Sequence, residues 1–526
     1  MRILKPAARS YKDAINALNS LQSNFASIEA MKKLGPNVNR NELSINEVHE
    51  YIRRLGYKTR DFDKLNIIHV TGTKGKGSTC AFTESILKQY KFNANDQNSN
   101  IKTNPINKLG LFTSPHLKTV RERIRINGNP INESKFTKYF FEVWDKLSST
   151  SSSPDEFPSL QPCETVKPMY FKYLTILSFH VFLSEGVDTA IYEVGVGGTY
   201  DSTNIVQNPT VTGISSLGID HTFMLGNTID SITWNKTGIF KKNCPAVVSN
   251  QLEYPESLKI IEQRAKEIGV SSLDIVDEDL LPSSIKLGLA GKFQRQNASL
   301  AAKLASIHLS KLGVPQNELP DLESTDVDVL PDRFIEGLQN ANWDGRCQII
   351  SNKPNFENID WYIDGAHTLE SIQVSSSWFK ECMDDKLQSR NDLKILLFNQ
   401  QSRENTKELL LKLYENIILK GVKFDHVIFT TNVTWSDGNY NSDLVSLNNS
   451  KELVDKLTVQ KDLAQSWSEL DQANNSDSRK HIFPNIETSV NFIKSLTNDV
   501  SDVNVFVCGS LHLVGGFLVV LDNERD

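Results

Sequence analysis

Short apolar runs recur along the chain, and each is followed by turn residues and then by a segment with helical spacing of apolar residues. Alternation of this kind is typical of parallel sheets that carry helices on their faces. The pattern therefore predicts an α/β protein with doubly wound sheets. The main predicted strands cover 67–70, 109–112, 188–196 and 210–215 in the first half and 359–363, 393–398, 425–430 and 503–508 in the second.

Four polar stretches interrupt this pattern, and we predict that they are surface insertions. Their composition buries too little apolar surface to order a segment strongly by itself. The third stretch separates the two sets of strands, so we place the domain boundary at its end, with domains 1–332 and 333–526. The four stretches are 91–108, 148–166, 316–332 and 434–482.

The first apolar run leads into a glycine-rich loop and then into an amphipathic helical pattern. Such a loop lets backbone N–H groups converge on an anion, and the following helix adds the positive end of its dipole. Lys76 adds a full charge, so we predict a polyphosphate site. The common G-x-x-x-x-G-K-[ST] pattern is not matched, because Val70 replaces its first glycine and Gly77 separates Lys76 from Ser78. The loop consists of Gly72, Thr73, Lys74, Gly75, Lys76, Gly77 and Ser78.

Charge and composition limit which partners the protein can bind and which cellular compartment it occupies. The net charge of -7 at pH 7 argues against a nucleic-acid partner, and no apolar run approaches the ~20 residues that a membrane helix needs. Six scattered cysteines without a C-x-x-C pair argue against a zinc site and a disulfide framework, and they indicate a reducing compartment. The basic residues Arg2, Lys5, Arg9 and Lys12 faintly resemble a mitochondrial presequence. We therefore expect a cytoplasmic protein, with a mitochondrial pool as an open alternative.

A second basic cluster follows the run at 109–112. Arg121, Arg123 and Arg125 alternate with other residues, which predicts that they share one face of a strand ending at the Asn127–Gly128 turn. Three like charges on one face repel each other unless an anion lies over them, so contact with a substrate is one interpretation. A solvated edge strand is the other.

Other polar residues stand where predicted strands end, and ligands of open α/β sheets bind beyond the carboxyl ends of the strands. Glu193 lies near the end of one run and precedes a glycine-rich loop. A buried glutamate needs a cation, and we favour magnesium over a lysine or arginine partner. Ser114 and His221 follow two other runs and are candidates for the same metal. A turn serine and a hydrogen-bonded loop histidine are the alternatives.

Lys236 shares helical spacing with Ile229 and Ile232, so it falls on an apolar face. A desolvated lysine has a lowered pKa and becomes reactive. A lysine can also reach solvent past apolar neighbours, and from the pattern alone we favour that second interpretation.

The second set of strands carries the same kind of signal. Asp364 and His367 follow its first run, and Ser510 follows its last. Arg346 precedes them and is suited to contact a phosphate through two N–H groups.

Taken in order, these motifs resemble the folylpolyglutamate synthase family, particularly its eukaryotic, fungal-like members, over nearly the whole chain. The resemblance implies an amide ligase related to the Mur ligases. It implies an N-terminal P-loop ATPase domain with a mainly parallel sheet and a smaller C-terminal Rossmann-like α/β domain. The motifs that carry it are Gly72–Ser78, Thr113–His116, Glu193–Gly198, Leu217–His221 and Asp364–His367.

The resemblance also implies roles for individual residues. The ATP contacts would be Gly72, Thr73, Gly75, Lys76, Gly77, Ser78, Gln294, Asn297, Arg346 and Asp364, and the magnesium ligands Ser114, Glu193, His221 and Lys236. The catalytic residues would be Lys76, Lys236 and His367, and Ser510 would contact substrate. Arg121 and Arg123 are candidate substrate contacts from their charge pattern alone. Carbamylation would turn Lys236 into an anionic metal ligand. This implication is opposite to the interpretation favoured by the helical pattern, in which Lys236 reaches solvent. Thr237 departs from the small residue that the family usually has after this lysine.

The implied reaction adds L-glutamate to the γ-carboxylate of tetrahydrofolates and their polyglutamates. It uses ATP and two magnesium ions, with a monovalent cation as an open addition, and passes through an acyl phosphate. Dihydrofolate synthase, which joins glutamate to dihydropteroate with the same machinery, is the nearest alternative. A nucleotide-dependent switch protein is a more remote one. We expect a monomer.

Overall fold

The computed structural model divides into two compact units. Unit 1 comprises Met1–His116 and Arg121–Asn342, and unit 2 comprises Leu117–Val120 and Trp343–Asp526. The chain thus passes finally into unit 2 after residue 342, whereas composition placed the boundary after residue 332. The structure describes residues 9–22, 38–92, 103–322, 330–386, 392–400, 406–437, 442–444, 456–499 and 502–525.

Parts of the sequence predictions fall outside these described ranges. They are Arg2 and Lys5 of the basic N-terminus and residues 93–102, 323–329, 438–441 and 445–455 of the polar stretches. Within the described ranges, none of the helices combines the length and the apolar character that crossing a membrane requires.

Unit 1 is built on an eight-stranded sheet with the order β4-β3-β2-β5-β1-β6-β7-β8. The six strands from β2 to β8 in this order pair in parallel, and β3 and β4 are antiparallel. The mainly parallel sheet is as predicted. The strands are β1 (Ile67–Thr71), β2 (Leu109–Phe112), β3 (Ile124–Ile126), β4 (Asn129–Pro130), β5 (Thr189–Glu193), β6 (Val211–Ile214), β7 (Ala246–Ser249) and β8 (Leu273–Val276).

Helices accompany this sheet, and the central strands β1, β2, β5, β6 and β7 are buried along their whole length. Strands of this kind read as continuous apolar runs because both faces are covered. The helices are α1 (Tyr11–Asn19), α2 (Val38–Leu55), α3 (Lys76–Lys88), α4 (Glu133–Ser149), α5 (Tyr170–Glu185), α6 (Thr222–Leu225), α7 (Ile229–Lys236), α8 (Ser257–Ile268), α9 (Gln294–Lys311) and α10 (Asp332–Gln339).

The prediction that three arginines share one strand face is wrong. Arg121 and Arg123 lie in the 3-10 turn Val120–Arg123, and only Arg125 lies in β3. The strand begins at Ile124, where its pairing with β2 begins. The Asn127–Gly128 turn is confirmed, since both residues have positive φ, 55° and 86°, between β3 and β4.

Unit 2 contains a six-stranded sheet with the order β13-β12-β11-β14-β10-β9, parallel except for β9. Its strands are β9 (Gln348–Ile350), β10 (Ile359–Ile363), β11 (Leu393–Phe398), β12 (His426–Thr430), β13 (Arg479–Phe483) and β14 (Val503–Cys508). Its helices are α11 (Leu369–Asp385), α12 (Thr406–Ile417), α13 (Thr458–Ala473), α14 (Ile486–Ser495) and α15 (Leu511–Asp522).

The polar stretch 434–482 is more than an insertion. It contains α13 and most of β13, and Trp467 of α13 is fully buried. The indole N–H of Trp467 donates to Ser478 Oγ over 3.1 Å, so the ring is buried and its N–H group has a hydrogen-bond partner. One apolar face of a mostly polar helix is enough to anchor it, which average composition does not reveal.

Four residues from the first half of the chain are built into unit 2. Leu117 belongs to its apolar core, together with Trp361 and Phe517. The backbone N–H of Val120 donates to Asp443 Oδ1 over 2.8 Å. Sequence patterns do not reveal this segment, because its partners lie more than 200 positions away in the chain.

Gly515→Ala should destabilise unit 2. A Cβ at this position of α15 would lie 2.0 Å from the carbonyl oxygen of Leu117, a backbone atom with little freedom to move. Overpacking of this kind costs about 2 kcal/mol, and urea unfolding measures it. Gly516→Ala is the matched control, because its nearest neighbour is the Ile486 side chain, which can change rotamer. An equal loss in both variants would contradict the assignment.

Lowering the pH should destabilise unit 1 through His308 of α9. Its ring is buried between Thr210 Oγ1, 2.7 Å from Nδ1, and Thr189 Oγ1, 3.3 Å from Nε2. Burial lowers the pKa of His308 from 6.5 to about 3. The unfolded chain therefore binds a proton that the folded chain rejects, and the stabilisation present above pH 6.5 is lost as the pH falls.

His308→Gln tests this dependence. The free energy of unfolding should fall between pH 7.5 and pH 5 in both proteins, but the fall should be about 2 kcal/mol smaller in the variant. The difference follows from a loss of about 1.4 kcal/mol for each pH unit below the pKa of His308 in the unfolded chain. Urea unfolding at both pH values gives the two differences. Identical pH dependence in the two proteins would refute the role of His308.

Candidate active site

The topology of unit 1 gathers the predicted site residues at one sheet edge. Strands β2, β5, β1 and β6 are neighbours and parallel, so their carboxyl ends lie side by side. The glycine-rich loop Gly72–Ser78 follows β1, Ser114 follows β2, Glu193 ends β5, and His221 follows β6.

The conformation of the glycine-rich loop requires glycine at two positions. Gly72 and Gly75 have φ values of 154° and 83°. A Cβ on Gly75 would lie 2.1 Å from Asn297 Oδ1, and one on Gly72 would lie 1.9 Å from Ser215 Oγ. Helix α3 begins at Lys76 without a side-chain cap. Its first N–H groups are therefore available to an anion, as the phosphate-site prediction requires.

Two lysines converge on the carbonyl oxygen of Gly72. The distances to this oxygen are 3.0 Å from Lys76 Nζ and 2.7 Å from Lys236 Nζ. Lys236 is only 3% exposed. The expectation that it reaches solvent is therefore wrong, because α7 turns its apolar face, with Ile232, into the protein.

The electrostatics of this pair favour a neutral Lys236. Burial lowers the pKa of Lys236 well below its ordinary value, and the nearby charge of Lys76 lowers it further. The carboxylates of Asp220 and Asp201 act in the opposite direction, with smaller effect. A neutral amine is nucleophilic and is the form that carbamylation requires, so the lowered pKa of Lys236 acts in the direction of that form.

Glu193 and Ser114 lie together as predicted. The Ser114 backbone N–H donates to Glu193 Oε2 over 3.0 Å, and Glu193 is 4% exposed. A buried carboxylate beside a serine is a donor set suited to magnesium. His221 has φ of 50° and a half-exposed side chain, with Nε2 3.8 Å from Asp220 Oδ2.

The described residues contain no cluster of three or more His, Cys, Asp and Glu side chains suited to a metal. The expected ligand set contains only two of these residue types, Glu193 and His221. The Ser114 hydroxyl and a modified Lys236 would have to complete it. A magnesium site here would therefore depend partly on oxygen donors other than carboxylates, namely the Ser114 hydroxyl and the modified Lys236.

Gln294 and Asn297, expected among the ATP contacts, lie at the start of α9 and are buried. Gln294 Nε2 donates to Ser78 Oγ over 3.2 Å, and Asn297 Nδ2 donates to Gln294 Oε1 over 2.9 Å. This chain of hydrogen bonds braces the start of α3. Both residues thus support the glycine-rich loop through the helix that follows it.

Sequence reasoning missed two residues that hold the loop after Glu193. Asp201 Oδ2 accepts from the Val196 N–H over 3.0 Å, and its Oδ1 accepts from the Thr203 hydroxyl over 2.6 Å. Asn235 Oδ1 accepts from the Gly198 N–H over 3.0 Å. An acidic residue shortly after a glycine-rich loop was an available signal for Asp201. Asn235 comes from α7 and had none.

The residues predicted in unit 2 also share one sheet edge, because β10 and β14 are parallel neighbours. Asp364 is buried and accepts from the N–H groups of Cys347, over 2.8 Å, and Ala366, over 2.9 Å. Burial raises the pKa of Asp364, and the Arg346 charge opposes this. His367 Nδ1 lies 2.7 Å from the Gly365 carbonyl oxygen. Ser510 caps α15, its Oγ accepting from His512 N–H.

These features define a two-unit α/β protein with a glycine-rich loop at the carboxyl edge of its first sheet. A family model described as Dihydrofolate synthetase, C-terminal domain, matches residues 347–520. Folylpolyglutamate synthase of Candida albicans is 64% identical over 524 residues, which cover 98% of this chain and 97% of that protein. The chain belongs to the folylpolyglutamate synthase family.

Solved structures share the fold. Mycobacterium tuberculosis folylpolyglutamate synthase complexed with ADP has a TM-score of 0.66 at 20% identity, covering 98% of this chain and all of that one. The bifunctional folylpolyglutamate synthase/dihydrofolate synthase from Yersinia pestis, complexed with AMPPNP and a Mn ion, has a TM-score of 0.61 at 21% identity. It covers 95% of this chain and 99% of that chain.

Gly75→Ala should weaken ADP binding by about tenfold or more. A residue with a side chain at a φ of 83° costs about 1–2 kcal/mol, and the new methyl group would also displace the Asn297 side chain. Titration calorimetry with ADP measures the change. Gly218→Ala is the control, since its Cβ would meet its nearest neighbour at an ordinary 3.6 Å. Unchanged affinity in the Gly75 variant would contradict the phosphate-loop assignment.

Proposed function

We propose that this chain adds L-glutamate to the γ-carboxylate of tetrahydrofolates and their polyglutamates, driven by ATP. The observation that carries the proposal is the pair of lysines on the Gly72 carbonyl beside the buried Glu193, in a chain of this family. The folate carboxylate attacks the γ-phosphorus and ADP leaves. The glutamate α-amine then attacks the acyl carbon, inorganic phosphate leaves, and the amine loses a proton.

In this proposal Lys76 and the N–H groups at the start of α3 bind the phosphates and neutralise charge that develops during transfer. Thr73 and Ser78 belong to the same loop, and Gln294 and Asn297 keep its helix in place. The residues with predicted roles in unit 2 are Arg346 and Asp364 as ATP contacts, His367 as a catalytic residue and Ser510 as a substrate contact.

Ser114, Glu193, His221 and a carbamylated Lys236 are the proposed ligands of two magnesium ions. Magnesium, when bound, supplies positive charge to the phosphate oxygens. The Lys236 amine, whose neutral form is favoured by burial, would add carbon dioxide and release a proton. The Mn ion reported with the Yersinia pestis protein supports a divalent metal, whereas the number of ions, the carbamate and a monovalent cation are our proposals.

We further propose that the protein is a cytoplasmic monomer with a mitochondrial pool. The scattered cysteines support a reducing compartment, and the basic N-terminus supports the mitochondrial pool. Size-exclusion chromatography with light scattering tests the monomer, and fractionation of cells tests the compartments.

One assay separates the proposal from its alternatives. The purified protein is given ATP, magnesium and glutamate with either tetrahydrofolate or dihydropteroate, and ADP and the amide product are measured. Amide formation on tetrahydrofolate supports the proposal. Reaction on dihydropteroate alone would favour dihydrofolate synthase, the activity named in the matched family model. ATP hydrolysis indifferent to glutamate and pterin would favour a switch protein.

Lys76→Ala should lower kcat at least about a hundredfold, since removing one well-placed electrostatic donor costs about 3 kcal/mol of transition-state stabilisation. Steady-state ADP release with saturating tetrahydrofolate and glutamate measures it. Lys74→Ala is the matched control in the same loop, because Lys74 Nζ pairs with the exposed Glu253 at 3.3 Å. A Lys76 variant with near-normal turnover would remove the lysine from the mechanism.

A further inference from the structure

Arg123 is a buried cation in unit 1 that the proposed reaction does not use. It is 8% exposed, and its guanidinium carbon lies 5.5 Å from the centre of the Tyr170 ring. Burial lowers the pKa of Arg123, while the nearby Glu193 carboxylate is among the groups that oppose this effect. A buried guanidinium needs hydrogen-bond or charged partners that offset the free energy of its desolvation.

The contact that Arg123 makes has a definite direction. Its Nε–H donates to His116 Nδ1 over 2.9 Å. The guanidinium nitrogens of arginine carry only hydrogens to donate, so Nδ1 of His116 must accept. A neutral imidazole that accepts at Nδ1 carries its proton on Nε2. Arg123 therefore selects one of the two tautomers of His116.

The same arginine also holds the backbone of this loop. The Thr113 N–H donates to the Arg123 carbonyl oxygen over 3.2 Å, at the end of the pairing between β2 and β3. His116 lies three residues after Thr113 in this loop, and between them the Ser114 N–H donates to Glu193 Oε2. The loop 113–116 is thus held by Arg123 at both ends and by Glu193 in the middle.

We propose that Arg123 is a positioning residue, which fixes His116 in its Nε2–H tautomer and holds the loop 113–116 so that Ser114 stays beside Glu193. Residues that orient metal ligands in this way typically change metal affinity 10–100-fold when they are replaced. The metal part rests on the proposed roles of Ser114 and Glu193, whereas the tautomer does not. This role differs from the substrate contact that the sequence predicted for Arg123.

Arg121 offers a matched control from the same 3-10 turn. Its Nη1 donates to the Ile131 carbonyl oxygen over 3.1 Å, its Nη2 lies 3.8 Å from Glu133 Oε1, and its guanidinium lies over the Tyr11 ring. These partners belong to the segments around α1 and α4. Replacing Arg121 removes a cation from the turn without removing the contact to His116.

The first measurement is the 15N spectrum of the imidazole rings in the wild-type protein, with His116→Asn used to assign the His116 signals. We expect an unprotonated Nδ1 and a protonated Nε2. In Arg123→Gln the two nitrogens should move toward averaged values, and in Arg121→Gln they should not move. A protonated Nδ1 of His116 in the wild type would overturn the proposal, and this outcome does not require the Arg123 variant to fold.

The second measurement is Mn²⁺ binding in the presence of ADP, followed by electron paramagnetic resonance. Arg123→Gln should weaken it at least about tenfold, and Arg121→Gln should leave it unchanged. Equal affinity in wild type and Arg123→Gln would overturn the positioning of the metal loop. If the wild type bound no Mn²⁺ while its His116 showed the expected tautomer, the proposed metal site would fail and the loop-holding role would stand.

Discussion

The carbonyl oxygen of Gly72 is the point on which the nucleotide loop depends, because the side-chain amines of Lys76 and Lys236 both contact it. Two ammonium groups at one acceptor repel each other, and burial makes that repulsion stronger. The lowered pKa of Lys236 relieves this repulsion, because it favours the neutral amine. The loop conformation and the protonation of Lys236 are therefore linked.

Sheet topology explains why this arrangement lies beside a buried carboxylate. β1 lies between β5 and β6, so the glycine-rich loop emerges next to Glu193. Charges of both signs then meet at one edge with little solvent to screen them. The backbone N–H of Ser114 and the positive charge of Arg123 partly balance Glu193, and Asp201 and Asn235 hold the loop that follows it. A second layer of hydrogen bonds therefore supports the charged groups.

Local patterns predicted most strands well. The runs 109–112, 359–363, 393–398 and 503–508 are strands with those bounds, because buried parallel strands are written as continuous apolar runs. Charged residues were predicted less well. The arginine alternation indicated a strand, but β3 begins only where β2 pairs with it, and the polar average of 434–482 concealed α13. In both cases pairing or packing with a distant segment outweighed the local signal.

The sequence by itself determined the α/β class, the phosphate loop and the candidate residues at the strand ends, since these follow from periodicity, glycine spacing and charge over short distances. Only the tertiary structure decided that Lys236 is buried, that Arg123 contacts His116, and that the segment 117–120 packs into unit 2. Burial and hydrogen-bond partners depend on which remote segments come together. A linear pattern states which side chains are available, whereas desolvation decides which of them are charged and which are reactive.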